Sequence, residues 1–125
     1  MNESGFAVQK IAQLFKIPTT EILVIHDELD LPPGVARFKQ GGGHGGHNGL
    51  RDISNRLGKN FHRLRIGIGH PGDKSQVSDY VLKPFSKADA QAIEGAQIEC
   101  LRELETYISG QFDAATKNLH TRLQA

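Results

Sequence analysis

The amino-acid sequence predicts an α/β domain in which helices pack on a mixed sheet. Two observations predict this class. The elements inferred along the chain run helix, strand, strand, helix, strand, helix, helix, and this order is typical of layered α/β folds. The first strand, at 22–25, is apolar on both faces, as is typical of a buried parallel strand. A chain of 125 residues suits a single domain, spanning 1–125.

The first helix and strand have clear signals. Apolar residues at helical spacing predict a helix from Ser4, its N-terminal cap, to about Lys16, and Pro18 ends it. The strand at 22–25 follows and turns polar abruptly at His26. No strand precedes this helix, although a helix on a parallel sheet normally follows one. The order of elements therefore suggests that the front of a domain is missing.

The middle of the chain predicts two more strands and a helix. Residues 35–40 alternate between apolar and basic side chains, which indicates a half-buried strand. A helix is predicted over 48–57, where apolar residues share one face. In the strand that follows, at 63–69, Gly67 and Gly69 lie on the face opposite the apolar side chains. Their missing side chains indicate that another segment packs closely there.

Two helices close the chain. The first begins at Ser86, which forms a capping-box pattern with Asp89, and Gly110 separates it from the second. The apolar stripe of the first is predicted to contain Ala90, Ile93, Leu101, Leu104 and Ile108. The second places Phe112, Ala115, Leu119 and Leu123 on one face.

Composition excludes several classes of protein. Cys100 is the only cysteine, so an intramolecular disulfide and a cysteine metal cluster are excluded, and its helical apolar surroundings predict a buried hydrophobe. No apolar run approaches the length of a membrane span, and the N-terminus lacks a signal-peptide pattern. A reducing cytoplasm is therefore expected.

Charge is distributed unevenly along the chain. Between Val35 and His70, seven lysines and arginines accompany a single acidic residue, Asp52. Between Ser86 and Asp113 the sign reverses, with six acidic residues against two basic ones. This polarity favours one basic face that binds a polyanion over a merely solvated surface.

The first candidate for chemistry is HDELD, at 26–30. Sites in open α/β sheets lie beyond the carboxyl ends of the strands. Asp27 is the first carboxylate after the apolar run and is expected to be the least solvated of the three. Two interpretations stay open: Asp27 fixes the tautomer of an active-site histidine, or the acidic residues cap the turn before Pro32.

The second candidate is GGGHGGHNGL, at 41–50. Four interpretations compete: a linker, a metal clip of His44 and His47 with Asp27 or Glu28, a phosphate cradle, or a wall for a substrate. Its place between a strand and a helix argues against a linker, and no further ligand completes a metal site at usual spacing. The stretch lacks the lysine-serine or lysine-threonine ending of a nucleotide P-loop, which argues against binding of a nucleoside triphosphate. A substrate wall uses the glycines for close approach and the carboxamide of Asn48 as donor and acceptor.

Three motifs, HDELDLPPG, GGGHGGHNGL and FHRLRIGIGHPGD, resemble those of bacterial peptidyl-tRNA hydrolase in order and spacing. The resemblance covers the whole chain. It implies a twisted mixed, mostly parallel sheet flanked by helices. It also implies an enzyme that needs no metal or other cofactor and hydrolyses the ester between a peptidyl or N-blocked aminoacyl group and the 3′ end of tRNA. Members of the family are usually monomeric and recycle tRNA during translation.

The resemblance also implies roles for individual residues in catalysis. An aspartate matched by Asp27 orients a histidine that acts as general base on water. Asparagines matched by Asn2 and Asn48 hold the peptide end and the reacting centre. His47 lines the same crevice, and the glycines before it, including Gly45, leave room for the substrate.

The implied partner is peptidyl-tRNA, with no membrane involved. Basic residues matched by Lys39 and Arg65 contact the tRNA phosphates, and Arg37 lies on the same strand face as Lys39. Such contacts supply affinity rather than sequence choice.

One departure from the family concerns the general base. The catalytic histidine of the family and a further asparagine lie ahead of the motif that begins here at Met1, and none of the six histidines matches that base. The chain is therefore expected to be an N-terminally truncated form with poor hydrolysis, exposed apolar surface and a tendency to self-associate. The rival classes are a non-catalytic tRNA- or RNA-binding module and a metal hydrolase that uses His44, His47 and Asp27.

Overall fold

The computed structural model describes residues 4–72, 74–77, 80 and 83–123, with the backbone alone at Ser4 and Lys74. The helices are α1 (Ser4–Phe15), α2 (Asn48–Leu57), α3 (Lys87–Ile108) and α4 (Phe112–Arg122). The strands are β1 (Leu23–Glu28), β2 (Ala36–Gln40) and β3 (His62–Gly67). Short 3₁₀ turns cover Thr19–Glu21 and Lys74–Gln76. The predicted α/β class, a sheet flanked by helices, is confirmed.

The strands form a three-stranded sheet in the order β1-β3-β2. The amide of His62 donates to the carbonyl of Ile22 at 2.8 Å, and the amide of Ile68 donates to the carbonyl of Glu28 at 3.0 Å. Residue numbers on the two strands rise together, so β1 and β3 are parallel.

The other pair of strands is antiparallel. The amide of Gly67 donates to the carbonyl of Val35 at 2.8 Å, and the amide of Gly41 donates to the carbonyl of Phe61 at 3.0 Å. Residue numbers on β2 and β3 therefore run in opposite directions. The predicted mixed character of the sheet is confirmed.

Strand β1 is longer and less buried than the sequence predicts. It continues beyond 25 because its pairing with β3 extends as far as the carbonyl of Glu28. Val24 and His26 are buried, while Ile25 between them is 51% exposed. Successive side chains of a strand point to opposite faces, so only one face of β1 is covered here. The prediction of a strand buried on both faces is wrong.

Helix α1 begins as predicted and ends one residue early. Lys16 adopts the left-handed conformation with φ 54°, and the amide of Ile17 donates to the carbonyl of Ala12 at 2.8 Å. This arrangement satisfies a carbonyl in the last turn of the helix. The predicted cap by the Ser4 side chain lies outside the described residues.

Internal contacts divide the chain into two compact units. The first comprises Met1–Val24 and Lys39–Arg63, and the second comprises Ile25–Phe38 and Leu64–Ala125. A single domain over 1–125 stays a prediction.

In the first unit, α2 has the predicted bounds and buries the predicted face. The core contains Val24, Leu50, Ile53 and Phe61, with Ile22 and Leu57 packed against it. Helix α1 approaches α2 at Gly5, whose amide donates to Oδ2 of Asp52 at 2.8 Å. The carboxylate satisfies a backbone donor in the first turn of α1, where a negative charge is also favoured by the helix dipole.

In the second unit, α3 buries a different stripe from the predicted one. The buried residues are Ile93, Ala96, Cys100, Glu103 and Tyr107. Leu101 and Ile108, which the prediction placed in the stripe, are 70% and 67% exposed. Ile93 is buried as predicted, but the prediction is wrong for Leu101 and Ile108, because the rest of the packing face consists of Ala96, Cys100, Glu103 and Tyr107.

Glu103 is the polar residue in this stripe, and α4 satisfies it. Its carboxylate accepts hydrogen bonds from Nη1 of Arg122 at 2.9 Å and from Nδ2 of Asn118 at 3.1 Å. A buried charge of this kind is tolerated because it is both paired and hydrogen-bonded. In α4, Ala115 and Leu119 are fully buried, as predicted.

Apolar side chains that the helical spacing of α1 places along the chain are exposed to solvent. They are Phe6 (50%), Ile11 (55%), Leu14 (75%) and Phe15 (67%). Of the helices in the described part of the chain, none combines the length and apolarity that crossing a membrane requires.

Candidate active site

Asp27 lies in the last part of β1, not beyond its end. The strand continues to Glu28, so the side chain of Asp27 takes its direction from the sheet. Asp27 and Glu28 are half-buried, and Asp30 is exposed. The sequence predicts that the strand ends at residue 25 and that Asp27 lies beyond it, but the strand extends three residues further, to Glu28. Asp27 is less exposed than Asp30, as predicted.

His26 precedes Asp27 and is buried, with only 5% of its surface exposed. Its Nδ1 lies 2.8 Å from the backbone carbonyl oxygen of Asp27. Because a carbonyl oxygen only accepts, Nδ1 must carry the proton in this contact. This hydrogen bond holds the imidazole ring of His26 in one orientation on the covered face of β1.

Residues 41–46, the glycine loop, connect β2 to α2. Positive φ angles occur at Gly41 (74°), Gly42 (101°), Gly45 (57°) and Gly46 (81°). These angles favour glycine because a β-carbon crowds the backbone there. A methyl group added at Gly43, Gly45 or Gly46 would meet nothing within 4 Å. The loop therefore presents its backbone to open space, as a substrate wall requires.

An arginine of β3 holds this loop, a contact that sequence analysis missed. Arg63 is 2% exposed, and its Nη2 and Nη1 donate to the carbonyls of Gly42 at 2.6 Å and Gly43 at 2.5 Å. The guanidinium carbon lies 4.6 Å from the centre of the Phe61 ring. Backbone carbonyls twenty residues away leave no pattern in the side chains that could predict this contact.

His47 and Asn48 lie where the glycine loop becomes α2. His47 is the N-cap of α2, and its Nδ1 accepts a hydrogen bond from the amide of Leu50 at 3.2 Å. Nδ1 is then unprotonated, so a neutral ring carries its proton on Nε2. Asn48 is exposed, and its Oδ1 accepts from Nη2 of Arg51. The side-chain amide nitrogen of Asn48, Nδ2, is therefore the atom that can donate a hydrogen bond to solvent or to a ligand.

Arg37 and Arg65 are directly opposite each other on β2 and β3. The pairing of Val35 with Gly67 fixes this register in the antiparallel pair. Both side chains are half-buried, and among the described residues no hydrogen-bond partner is found for their buried Nε atoms. Like charges directly opposite on a sheet repel each other, so an anion bound between these residues would stabilise the pair.

Lys39 is the third predicted phosphate contact and belongs to the first unit. It is exposed at the end of β2, and its Cε and Nζ lie 2.9 Å from the position of a methyl group added at Gly42. The ammonium group is therefore held beside the glycine loop.

The structure thus brings Gly45, His47, Asn48 and Lys39 into the first unit, and it brings Asp27, Arg37 and Arg65 into the second. Asn2 lies outside the described residues.

The histidines of the glycine loop are engaged by backbone amides. Nδ1 of His44 accepts from the amide of Gly46 at 3.0 Å, as Nδ1 of His47 does from Leu50. These lone pairs are not available to a metal ion. Within the described residues, no group of three or more histidine, cysteine, aspartate or glutamate side chains is placed to hold a metal. The metal-clip interpretation finds no support in this part of the chain.

Cys100 is buried in α3, as predicted, with 4% of its surface exposed. Burial raises the pKa of its thiol from 9.0 to about 11, and the nearby charge of Glu99 adds to the increase. The thiol is therefore protonated at neutral pH and behaves as a small hydrophobe.

Comparisons with known proteins identify relatives over the whole chain. The model of the family described as Peptidyl-tRNA hydrolase matches residues 1–125. The expectation of a missing N-terminal segment is not borne out by this match, which runs from the first residue to the last.

Individual relatives carry the same name. The chain is 54% identical to the peptidyl-tRNA hydrolase of Ruthia magnifica subsp. Calyptogena magnifica over 98% of this chain and 64% of the relative. It is 56% identical to that of Marinomonas sp. (strain MWYL1) over 97% of this chain and 63% of the relative. The chain thus spans about 63% of the length of these curated relatives.

Solved structures agree in fold. A crystal structure of a peptidyl-tRNA hydrolase in complex with N-propanol superposes with a TM-score of 0.95 and 46% identity, covering 100% of this chain and 64% of that one. The peptidyl-tRNA hydrolase of Acinetobacter baumannii superposes with a TM-score of 0.92 and 47% identity, covering 95% of this chain and 61% of that one.

Proposed function

Since the chain belongs to the peptidyl-tRNA hydrolase family, we propose that it hydrolyses the ester that joins a peptidyl or N-blocked aminoacyl group to the 3′ end of tRNA. The resemblance drawn from the three motifs is confirmed at the level of the family. The products are a free tRNA and a free peptide, which returns the tRNA to translation. The reaction belongs in the cytoplasm, where charged tRNA is used.

The observation that carries this proposal is the placement of His47 and Asn48 directly after the glycine loop. Asn48 opens α2 with its Oδ1 engaged by Arg51. Its side-chain amide nitrogen, Nδ2, can therefore donate a hydrogen bond to a carbonyl of the peptidyl group or to the oxygen that becomes negative during ester hydrolysis. The open backbone at Gly45 leaves space for the chain of the substrate.

We assign to Asp27 the orientation of the histidine that activates water, a base that the family's motifs match to none of the six histidines of this chain. The oxygen of water attacks the ester carbonyl carbon, an imidazole takes the proton of the water, and the 3′ oxygen of the ribose leaves with a proton. Asp27 holds that imidazole in the tautomer that accepts the proton and stabilises the cation that forms. The half-buried position of Asp27 in β1 supports this role, because a carboxylate fixed by a sheet orients its partner better than one on a loop.

The tRNA end of the substrate is proposed to rest on the basic residues of β2 and β3. Arg37 and Arg65 stand directly opposite each other on the two strands, and among the described residues the buried Nε of each has no hydrogen-bond partner. A phosphate between them would remove their mutual repulsion and receive charge-assisted hydrogen bonds. Lys39 supplies a further positive charge beside the glycine loop.

The central test is release of the blocked amino acid from N-acetyl-aminoacyl-tRNA by the purified chain. Asn48→Ala and Asp27→Asn are expected to lower kcat by about a hundred-fold or more, since each removes a group that acts on the reacting centre. The matched controls are Asn60→Ala, an exposed asparagine ahead of β3, and Asp30→Asn, an exposed aspartate of the same motif. Both controls are expected to keep the activity of the parent chain.

Binding of tRNA without any release of peptide would contradict the proposal and would favour a non-catalytic RNA-binding module. Chelator-sensitive release would contradict it in favour of a metal hydrolase. Release at a high rate by the parent chain would contradict the weak activity inferred from the sequence. In that case His47→Ala tests whether His47 supplies the general base.

Phosphate binding has a separate test in the salt dependence of tRNA affinity. Arg65→Gln is expected to weaken binding for all tRNA sequences alike and to reduce the slope of log affinity against log salt by about one. Lys59→Gln removes an exposed positive charge from the same part of the chain and serves as the control. Equal changes in slope for the two variants would contradict a specific role for Arg65.

Self-association is the remaining proposal about partners. The exposed apolar residues of α1 support it, because exposed apolar surface favours contact between copies. Sedimentation velocity over a range of concentrations tests it, and a monomer at every concentration would contradict it.

A further inference from the structure

We propose that Arg63 is a positioning residue for the proposed reaction. Its guanidinium holds the glycine loop, and through that loop it fixes the orientation of His47 and Asn48. The inference rests on the proposed function for its effect on hydrolysis, whereas the clamp itself is a property of the fold and has its own readout.

The guanidinium of Arg63 lies in a buried environment. Arg63 is 2% exposed, so its charge has lost the surrounding water. A buried cation of this kind needs partners that replace the lost hydration. Two adjacent carbonyls do so, those of Gly42 and Gly43, each bound by a different nitrogen. The face of the fully buried Phe61 ring adds a cation–π contact.

The glycine loop has few other constraints on its conformation. Gly41 is fixed to β3 by its hydrogen bond to the carbonyl of Phe61. Beyond it, the positions at Gly43, Gly45 and Gly46 face open space on the side where a β-carbon would point. Glycines lose more conformational freedom on folding than other residues. A fork with two donors at fixed spacing therefore restrains the part of the loop that packing leaves loose.

The path from the contacts of Arg63 with the glycine loop to His47 and Asn48 is short. The amide of His47 donates to the carbonyl of His44 at 2.9 Å, which closes a turn directly after Gly43. The imidazole of His47 then caps α2 through the amide of Leu50. A change at the carbonyl of Gly43 is thus passed through one turn to the N-cap of α2 and to Asn48, the first residue of that helix.

Lysine cannot reproduce this arrangement, although it keeps the charge. Arg63 spans two carbonyls with two nitrogens of one rigid plane, whereas an ammonium group is a single point with rotating donors. Arg63→Lys should therefore retain a buried cation and one hydrogen bond while it releases the other carbonyl. The loop is expected to lose its single conformation while the strand keeps its place.

The direct test uses the unmodified protein and nuclear magnetic resonance of its arginine side chains. A guanidinium held by two carbonyls rotates slowly, so we expect separate Nη1 and Nη2 signals for Arg63. The exposed Arg102, whose side chain is 63% exposed, is the internal reference and should give averaged signals. Averaged Nη signals for Arg63 would overturn the clamp, and this result does not depend on activity or on any variant.

The second test compares Arg63→Lys with Arg102→Lys. For Arg63→Lys we expect kcat for N-acetyl-aminoacyl-tRNA to fall roughly 10- to 100-fold, as for a misplacement of about 1 Å at a reacting centre. The KM is expected to change less than kcat, because the proposed phosphate contacts are intact. The ¹⁵N shift of Nδ1 of His47 should move as its hydrogen bond to Leu50 weakens. Arg102→Lys should change none of these.

The outcomes separate the clamp from the proposed function. An unchanged kcat together with an unchanged Nδ1 shift of His47 in Arg63→Lys would overturn the positioning role. A shifted Nδ1 signal in a parent chain that hydrolyses nothing would support the clamp and contradict the proposed function. If Arg63→Lys loses its cooperative melt, the Nη signals of the parent protein decide the matter.

Discussion

Two groups of glycines in this chain differ in what surrounds the position of the missing side chain. A methyl group at Gly67 of β3 would lie 2.7 Å from the carbonyl oxygen of Leu31 and closer still to that of Pro32. At Gly69 it would lie 3.1 Å from the hydroxyl oxygen of Tyr80. In the glycine loop, a methyl group at Gly43 or Gly45 would meet nothing within 4 Å.

A glycine can therefore mark either close packing by another segment or open space beside the backbone. On β3, the backbone of the DLPPG turn occupies the space where side chains would lie, so the close packing predicted from the sequence is confirmed. In the glycine loop, the space is open and is proposed to belong to the substrate. Substitutions by alanine separate the two cases, since only packed glycines should cost stability through a clash.

Gly67→Ala is expected to have the largest effect. Its φ is ordinary, so the cost comes entirely from contact with backbone oxygens that cannot rotate away. We expect a loss of about 3 kcal/mol in the free energy of unfolding, at the upper end for overpacking of an interior. Chemical denaturation measures this loss. A stability within experimental error of the parent would show that the turn at 31–33 moves freely and would remove the contrast with the loop.

Gly45→Ala should cost less, and for a different reason. Gly45 has φ 57°, where an alanine is strained by roughly 1 kcal/mol. Gly58 also has a positive φ (81°) and open space around it, at the C-terminus of α2, and its ψ of −178° lies in a region that only glycine readily adopts. Gly58→Ala should therefore lose at least as much stability as Gly45→Ala, and only Gly45→Ala should also lose hydrolysis. Equal loss of activity in both would place the effect in the fold rather than in the substrate wall.

Local patterns in the sequence predicted those elements whose signals are local. Helix α2 has the predicted bounds because its apolar spacing and its C-terminal Gly58 are contained in eleven residues. The end of β1 was missed because it depends on a hydrogen bond from Ile68, forty residues further along the chain. The stripe of α3 was misplaced because Glu103 becomes an interior residue only when Arg122 and Asn118 pair with it.

The candidate site shows the same division. Asp27 was singled out by its place after the strand at 22–25 and Asn48 by the donor and acceptor of its carboxamide. The resemblance then gave both residues their roles, and the geometry added the state of their neighbours. The cap by His47 was not predicted because histidine is not among the preferred N-cap residues. The contacts of Arg63 were not predicted because its partners are carbonyls, which every residue carries. The only local signal is an arginine four residues before Gly67 in the strand, and it does not name the partner.

Gly95→Ala extends the comparison to a glycine that neither packing nor a ligand explains. Gly95 lies inside α3, its φ is not in the left-handed region, and a methyl group would meet nothing within 4 Å. Alanine is the better helix former by about 0.5 to 1 kcal/mol in such a position. We expect a gain of that size in the free energy of unfolding with unchanged hydrolysis. A loss of stability would show a contact at this face of α3 that the described residues do not make.

Gly43→Ala should have the smallest effect on stability and is the sharpest test of the glycine loop. Its φ is ordinary, its space is open, and its carbonyl remains available to Arg63. The free energy of unfolding should therefore change by less than about 0.5 kcal/mol. If the substrate lies against the loop, the added methyl group should raise KM about tenfold, which corresponds to a clash of roughly 1.4 kcal/mol. Steady-state hydrolysis measures this change, with Gly95→Ala as the control for a methyl group in open space. An unchanged KM would mean that the open space at Gly43 is not used by the substrate, and the glycines of the loop would then be explained by their backbone angles alone.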